Sequence, residues 1–448
     1  MKYIRLLLAL SIFSCLAVSD TKAEDEIIVW KECVKEAKKQ HPDLLSAAEK
    51  VNQAKAGKEI TRSAALPQIT GNASEVTNKQ ASASSSSGSS ASSSGSSGTS
   101  SGGGPSGSNR ITTYQYNIAG QQLLFDGFKT SFDLSTAERN IIASRYNYDV
   151  TSSNVRLNLR TAYANLLSAQ EFLKVAEEIE TRRKQTLELV KLRYEGGREH
   201  RGSLFTSEAD LAQASYDVEQ ARRSIYLAQR QVIKELGRTK FSPLVAKGDL
   251  EVKETVRERP EFEKIAETTP LLQQLIAQKE AARFGLSSAK AQFFPQIYAT
   301  GNLGNTNTDA FPDKNTWSIG TSLTLPIFDG GNIIANVSKA KATLEQAQAD
   351  ERSGRDGVIV TLSNAWITLQ DAIDNVLVQK KFLEATQERA RISEAEYSIG
   401  LLIYDNWIII EDNLVSAKKN FVSAERDAMI AEANWIQAKG GTLDYDEN

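Results

Sequence analysis

The sequence predicts a mainly α protein with a β-barrel portion, in which one unit of strand and very long helix occurs twice. Three observations predict it. Two turns read almost alike, Leu124-Phe125-Asp126-Gly127 and Ile327-Phe328-Asp329-Gly330, at an offset of 203 residues. Each closes a stretch that alternates like a β-strand and opens a helical run of about sixty residues. The composition agrees, because aromatics at 7% and hydrophobics at 40% of 448 residues suit long two-sided helices better than one thick globular core.

The chain opens on a secretion signal, predicted over residues 1–23. Lys2 and Arg5 make its basic end, Leu6 to Val18 its apolar run, and Thr21-Lys22-Ala23 a small-x-small cleavage site. A lipoprotein signal ending before Cys15 is the alternative, and Phe13 two residues upstream fits it poorly. Cleavage after Ala23 leaves 50 of the 53 basic and 55 of the 56 acidic residues, a net charge of −5. That balance gives no reason to expect a nucleic-acid surface. Only Cys33 remains, so no internal disulfide forms, and two histidines with one cysteine argue against a transition-metal site. No run of eighteen apolar residues occurs, so no membrane-spanning helix is expected. The chain is then periplasmic, extracellular, or held in an outer membrane as a β-barrel.

The first repeat is expected over residues 24–237. Residues 26–40 read as a short helix, broken at His41-Pro42-Asp43, and residues 43–65 as a second helix ending before Pro67. A strand begins at Gln68-Ile69-Thr70. Residues 81–108 are almost wholly Ser and Gly and cannot bury enough apolar surface to order themselves, so a mobile loop is expected. Residues 111–124 return as a strand. From Asp126 a helix runs to about Leu192. Within it Leu159, Ala162, Leu166, Ala169, Leu173 and Ala176 step by three and four, a narrow coiled-coil seam. A turn with Gly196-Gly197 leads to a return helix over 203–236, stopped at Gly237.

Residues 238–268 differ. Pro243, Pro260 and a charged run mark them as a connector. The pattern then repeats over 269–440, with 441–448 as a tail. Pro42 maps to Pro270 and Pro67-Gln68-Ile69 to Pro295-Gln296-Ile297 at offset 228. Past the loop the offset is 203, and Asp126 maps to Asp329, Tyr163 to Trp366, Tyr194 to Tyr397, Gly197 to Gly400, Glu208 to Glu411 and Gly237 to Gly440. Matched landmarks in matched order indicate a tandem duplication.

Helix lengths constrain the assembly. At 1.5 Å per residue the first long helix spans roughly 95 Å and the two short helices of its repeat together roughly 85 Å. Stacking the short pair end to end beside the long helix satisfies both, with the joint partway along. Helix 26–40, the connector and the tail are expected to gather at that level as a belt. Four strands per chain cannot close a barrel, and an open edge is unsafe in lipid, so strands from several chains are required. Trp317, Ile319, Thr321, Leu323 and Leu325 alternate with Ser318, Gly320, Ser322 and Thr324, apolar outward and polar inward. An ordinary soluble sheet is the competing reading of that alternation.

The chain resembles the TolC-like outer-membrane efflux proteins over nearly all its mature length. The carriers are the paired Phe-Asp-Gly turns, the Pro-Gln-Ile strand entries, and Arg193-Tyr194-x-x-Gly197 with its partner Glu396-Tyr397-Ser398-Ile399-Gly400-Leu401, where Glu replaces Arg. The resemblance implies a homotrimer with one twelve-stranded outer-membrane barrel in lipid and a twelve-column periplasmic α-barrel closed at its tip. It implies a passive exit duct, not an enzyme. It also implies docking by a periplasmic adaptor (membrane fusion) protein of an inner-membrane efflux pump or a type I secretion system. No cofactor is expected. A soluble periplasmic coiled-coil adaptor or structural spacer is the rival class.

Individual residues take roles from this frame. Asp126 and Asp329 are expected to cap helix starts, and Gly127 and Gly330 to let strand turn into helix beside Phe125 and Phe328. Tyr194 and Tyr397 sit at the last helical turns; packing is the plain expectation, and the resemblance implies a hydrogen bond that helps hold the tip shut. Gly197 and Gly400 make the tip turns, and exposed Ile399 and Leu401 suggest a docking patch. The resemblance places an acidic ring near Asn406 and Ile409, where this chain has no carboxylate. Asp405 is adjacent, but one residue along a helix turns a side chain by about 100°. Arg198 and Arg201 make the other tip partly basic, which puts an acidic constriction in doubt.

Overall fold

The structure, a computed structural model, describes residues 26–79, 110–250, 252, 258–308, 310 and 315–445. The expected secretion signal, with Cys15, and the Ser/Gly loop over 81–108 lie outside them. The chain divides into two compact units, one built from residues up to 51, 144–275 and 351 onward, the other from 52–143 and 276–350. No described helix is long and apolar enough to cross a membrane.

The second unit holds a four-stranded antiparallel sheet. Its strands are β2 (Gln68–Lys79), β3 (Arg110–Phe125), β5 (Gln296–Asn307) and β6 (Thr316–Thr324), in the order β2-β3-β5-β6. The two repeats are therefore zipped together by the β3–β5 ladder. Register sorts the side chains. Gly71, Ile118, Leu303 and Trp317 stand in one row, followed by Ile69, Gly120, Gly301 and Ile319, then Ile297 with Leu323. The opposite face carries Asn72, Asn117, Gly304 and Thr316, then Thr70, Ala119, Asn302 and Ser318. One face is thus apolar and the other polar or small. Trp317 at 74% and Ile319 at 82% exposure are large apolar groups that no described residue covers. Aromatic residues gather at both ends of that sheet: Tyr114, Tyr116 and Trp317 at one, Phe128, Phe293, Phe294 and Phe328 at the other. Membrane barrels carry such girdles at the two lipid–water interfaces. β2 and β6 each have one unpaired edge among the described residues.

The strands feed two helices of great length, α3 (Lys129–Glu195, 67 residues) and α7 (Asn332–Ile399, 68 residues). The short helices are α2 (Pro42–Ser63), α4 (Arg201–Leu236), α6 (Pro270–Ala291) and α8 (Tyr404–Ala438). Both long helices begin about three residues beyond the aspartates expected to open them. The caps are nevertheless made by those aspartates. Asp126 Oδ2 accepts from the Thr130 amide at 2.8 Å, and Asp329 Oδ2 accepts from the Ile333 amide at 2.6 Å. Gly127 and Gly330 both take a φ of 68°, the left-handed turn that strand-to-helix reversal needs here.

In the first unit the short helices do meet end to end. Gly237, at φ 77°, closes α4 so near the start of α2 that an added Cβ would lie 2.6 Å from the Gln40 carbonyl oxygen. Gly440 closes α8 in the same way against Pro270, the first residue of α6. Around these joints sits a belt. The helix expected over 26–40 is split: β1 (Glu26–Ile28) pairs in parallel with β4 (Leu244–Ala246), and α1 (Trp30–Gln40) follows. The apolar residues at its start fit a strand once a partner strand arrives from the connector, and that partner is more than two hundred residues away. Arg238 ties the two ends, with Nη1 2.6 Å from Glu26 and Nη2 2.7 Å from Glu36. Its guanidinium is held above its usual range by those two carboxylates, Glu36 foremost.

The belt grips each long helix at its midpoint, with different chemistry. On α3, the Tyr163 hydroxyl donates to the Lys247 carbonyl at 2.8 Å, and the Gln170 amide bonds both the N–H (2.9 Å) and the carbonyl (3.0 Å) of Ala246. Burial pushes the Tyr163 phenol up to about 12. On α7, Trp366 packs edge-on against Phe262 of α5 (Phe262–Thr268), with Leu362, Leu369 and Trp435 completing an apolar cluster. Of the leucine–alanine seam read from the sequence, Leu159, Ala162, Leu166 and Ala176 are buried on α3, while Ala169 and Leu173 are half-buried.

Candidate functional site

The ends of the two long helices form the candidate site. α3 runs out at Glu195, the chain turns at Gly197, and α4 begins at Arg201. α7 runs out at Ile399, turns at Gly400, and α8 begins at Tyr404. The turns share backbone geometry, φ 68° at Gly197 and 85° at Gly400. The Arg198 amide reaches back to the Arg193 carbonyl and the Leu401 amide to the Glu396 carbonyl. His200 caps α4, its Nδ1 accepting from the Ser203 amide at 3.2 Å.

Tyr397 is the centre of the site and is fully buried. Its ring stacks on Trp407 at 4.2 Å with 17° between planes, and both meet Tyr404 edge-on. On the other side lies the Arg193 guanidinium, 4.4 Å from the ring centroid and donating to the Tyr397 carbonyl. The Tyr397 hydroxyl donates to Glu199 Oε2 at 3.0 Å, and Glu199 Oε1 takes the Ser203 hydroxyl at 2.9 Å. Burial, reinforced by the Glu199 charge, raises the Tyr397 phenol well above its ordinary range, so it stays a donor. One side chain of the second repeat is thus held by two residues of the first.

A second layer lies one to three helical turns away. Arg182 of α3 forks onto Glu411 of α8, with Nη2 2.8 Å from Oε1, and reaches Glu394 of α7 at 3.2 Å. Glu411 is 2% exposed, and its hydrogen bond holds the Arg182 guanidinium above its usual value. Arg183 pairs with Asp412. Ser207 donates to the Tyr404 hydroxyl at 2.9 Å. Asp210 lies among these groups with one carboxylate oxygen buried and unpartnered among the described residues; desolvation raises its pKa.

Of the residues singled out in the sequence, Tyr397 and Gly400 fall inside this cluster. Tyr194, its counterpart, is 38% exposed and outside it. Arg198 and Asp405 are exposed. Ile399 at 72% and Leu401 at 78% exposure, with Ile403 beside them, make an apolar patch at the turn. Asp405, Asn406 and Ile409 share the exposed side of the first turns of α8, while Tyr404 and Trp407 take the buried side. Sequence reasoning missed Tyr404, Trp407, Arg182 and the role of Glu199. The aromatics at i and i+3 opening α8 were the available signal. The ion pairs join residues 229 apart, at positions that carry no local signal.

The chain thus joins a sheet with one apolar face to two very long helices whose far ends are bound to each other. Comparison with known proteins gives the family. The profile described as "Outer membrane efflux protein" matches residues 33–238 and 262–441. The chain belongs to the outer membrane efflux protein family, whose members are outer-membrane channel proteins and not enzymes. It is 24% identical over 286 residues to the outer membrane efflux protein BepC of Brucella suis biovar 1, covering 62% of this chain and 61% of BepC. It is 22% identical over 405 residues to the cation efflux system protein CusC of Escherichia coli K12, covering 84% of this chain and 78% of CusC. In fold, it matches the outer membrane channel CmeC of Campylobacter jejuni with a TM-score of 0.77 at 19% identity, over 92% of this chain and 85% of CmeC.

Proposed function

We propose that the chain is the outer-membrane exit duct of a tripartite efflux pump or a type I secretion system, conducting cargo passively. The observation that carries this is the four-stranded sheet, apolar on one face, polar on the other and with both edges unpaired among the described residues, continued by two very long helices. Open edges in lipid demand partners, and a second and third copy supply them. A homotrimer then closes twelve strands into one barrel. The soluble coiled-coil alternative has no use for Trp317, Ile319 and Leu323 side by side on a face that no described residue covers.

The tip reading follows from the same frame. Tyr397, Arg193 and Glu199 tie the turn of one hairpin to that of the other and hold the end narrow. The patch of Ile399, Leu401 and Ile403 is offered to an adaptor of an inner-membrane pump. Arg198 and Arg201 face the docking end together with Asp405, so an acidic ring is not expected there. Reconstitution of the purified protein in a planar bilayer tests the duct. Discrete conductance steps from a trimer that resists mild detergent are expected. A monomer without conductance steps would overturn it.

A further inference from the structure

The α6–α8 joint in the first unit leaves a hollow of about 330 Å³, walled by Val150 and Ser153 of α3, Leu271 of α6, Gly357 and Val358 of α7, and the end of α8. The volume falls at the lower end of the range that small-molecule sites occupy. No ionisable side chain lines it. Two features set it apart from an ordinary packing defect. Gly357 stands in the interior of α7, where glycine weakens a helix relative to alanine. Its neighbour Gly354 has a packing reason, because Leu275 occupies the space a Cβ would need. Gly357 has none: a Cβ there meets nothing within 4 Å. Ser153 is 2% exposed, and its hydroxyl has no hydrogen-bond partner among the described residues. A buried hydroxyl left unpaired is costly unless something bonds it.

We infer that this hollow is a binding site for a small, uncharged, largely apolar molecule with one hydrogen-bonding group, which Ser153 engages. The wall explains each part of that description. Apolar side chains and the bare Gly357 backbone accept a flat apolar body. The absence of charge in the lining excludes an ionised ligand, since nothing would offset its desolvation. Thr269, Thr361 and Gln437 also line the hollow, but their hydroxyl and amide groups donate to Ala266, Gly357 and Asn154. Ser153 is the lining side chain whose buried polar atom has no partner among the described residues, and it can donate or accept. The inference does not depend on conduction by the duct, because occupancy is read on the protein in detergent.

The test is calorimetric titration of the full-length protein with 1-naphthol, with naphthalene and 1-naphthalenesulfonate as controls. Detergent is matched throughout so that partitioning into micelles cancels. Saturable binding of 1-naphthol at one per chain is expected, and at least about tenfold weaker binding of the sulfonate. Gly357→Leu fills the hollow from a position with free space and should weaken 1-naphthol by at least about tenfold. Ser153→Ala should weaken 1-naphthol by about three- to tenfold and leave naphthalene unchanged. The inference is overturned by an absence of saturable binding to the wild type, by equal binding to Gly357→Leu, or by equal losses of naphthol and naphthalene in Ser153→Ala. A Gly357→Leu chain that no longer assembles would show that a second copy fills the hollow, and would overturn it too.

Discussion

The two repeats share a backbone plan and differ at nearly every point where they are held. Tyr397 is buried against Trp407 and Tyr404, while Tyr194 is exposed. The residues matching Tyr404 and Trp407 at offset 203 are Arg201 and Leu204, so the first hairpin has no aromatic nest to receive its tyrosine. Glu411 is buried under Arg182, whereas its counterpart Glu208 is exposed. At the belt, Tyr163 holds the connector by a hydrogen bond, and Trp366 holds it by apolar contact. At the start of the long helix, Gly331 takes φ 89° where the first repeat forces Phe128 into φ 67°. Duplication conserved the turns and helix lengths that set the architecture. The side chains then divided the work, and the second repeat carries the buried hub that the first repeat clasps.

That division can be broken most sharply at the hub. Tyr397→Ala should cost about 3–5 kcal/mol of stability, the range for emptying a buried aromatic site. The Tyr194→Ala change should stay within about 0.5 kcal/mol, as exposed substitutions do. Chemical denaturation of the two variants reads the difference. In a bilayer, only Tyr397→Ala should raise conductance or lengthen open events. Equal effects of the two substitutions would mean that the hub is not special.

The next contrast is ionic. Arg182→Ala copies Ala385, the residue at the matched position of the second repeat. It strands the Glu411 carboxylate in a buried setting, and a loss of about 3 kcal/mol is expected. Glu208→Gln should change stability by less than about 0.5 kcal/mol. If Arg182→Ala proves as mild as Glu208→Gln, the fork does not organise the second layer.

Much of this architecture is legible in the sequence, and the limits are physical. Pro42 and Pro270, Gly237 and Gly440, and the two Phe-Asp-Gly turns are backbone punctuation, and punctuation is local. They mark where each short helix starts and stops, and the helix lengths then place the short pairs end to end. The β1 strand was not legible, because three residues become a strand only when Leu244–Ala246 arrive beside them. The hub was hidden for a different reason. Aligning the repeats invites equal treatment of Tyr194 and Tyr397, and only burial separates them. The Arg182–Glu411 fork and the hollow beside Gly357 are properties of packing between distant segments, which periodicity does not encode.

A smaller effect is expected where the repeats exchange a strained residue. Phe128→Gly installs what the second repeat has at Gly331. It removes a left-handed φ from a bulky residue, and relief of about 1 kcal/mol is expected in thermal unfolding of the detergent-solubilised protein. Phe128 packs edge-on against Phe125 at 5.7 Å and is 66% exposed. The strain is therefore not repaid by burial within this chain. A loss of stability on substitution would locate that repayment in contacts of the phenyl ring.

The smallest contrast is a matter of protons. Asp210 matches Asn413 at offset 203, and Asn413 is exposed. Burial raises the Asp210 carboxyl above its ordinary value, partly opposed by Arg183 and reinforced by Asp412. An acid with a raised folded-state pKa holds its proton more tightly when folded. Its contribution to stability is complete below the unfolded value and is lost as pH rises through the raised one. At neutral pH the ionised group is therefore a liability. Asp210→Asn should raise the unfolding temperature at pH 7, and the gain should shrink toward zero as the pH falls below the ordinary aspartate range. A gain that is independent of pH would assign the effect to packing, and a loss at pH 7 would show that Arg183 outweighs the desolvation.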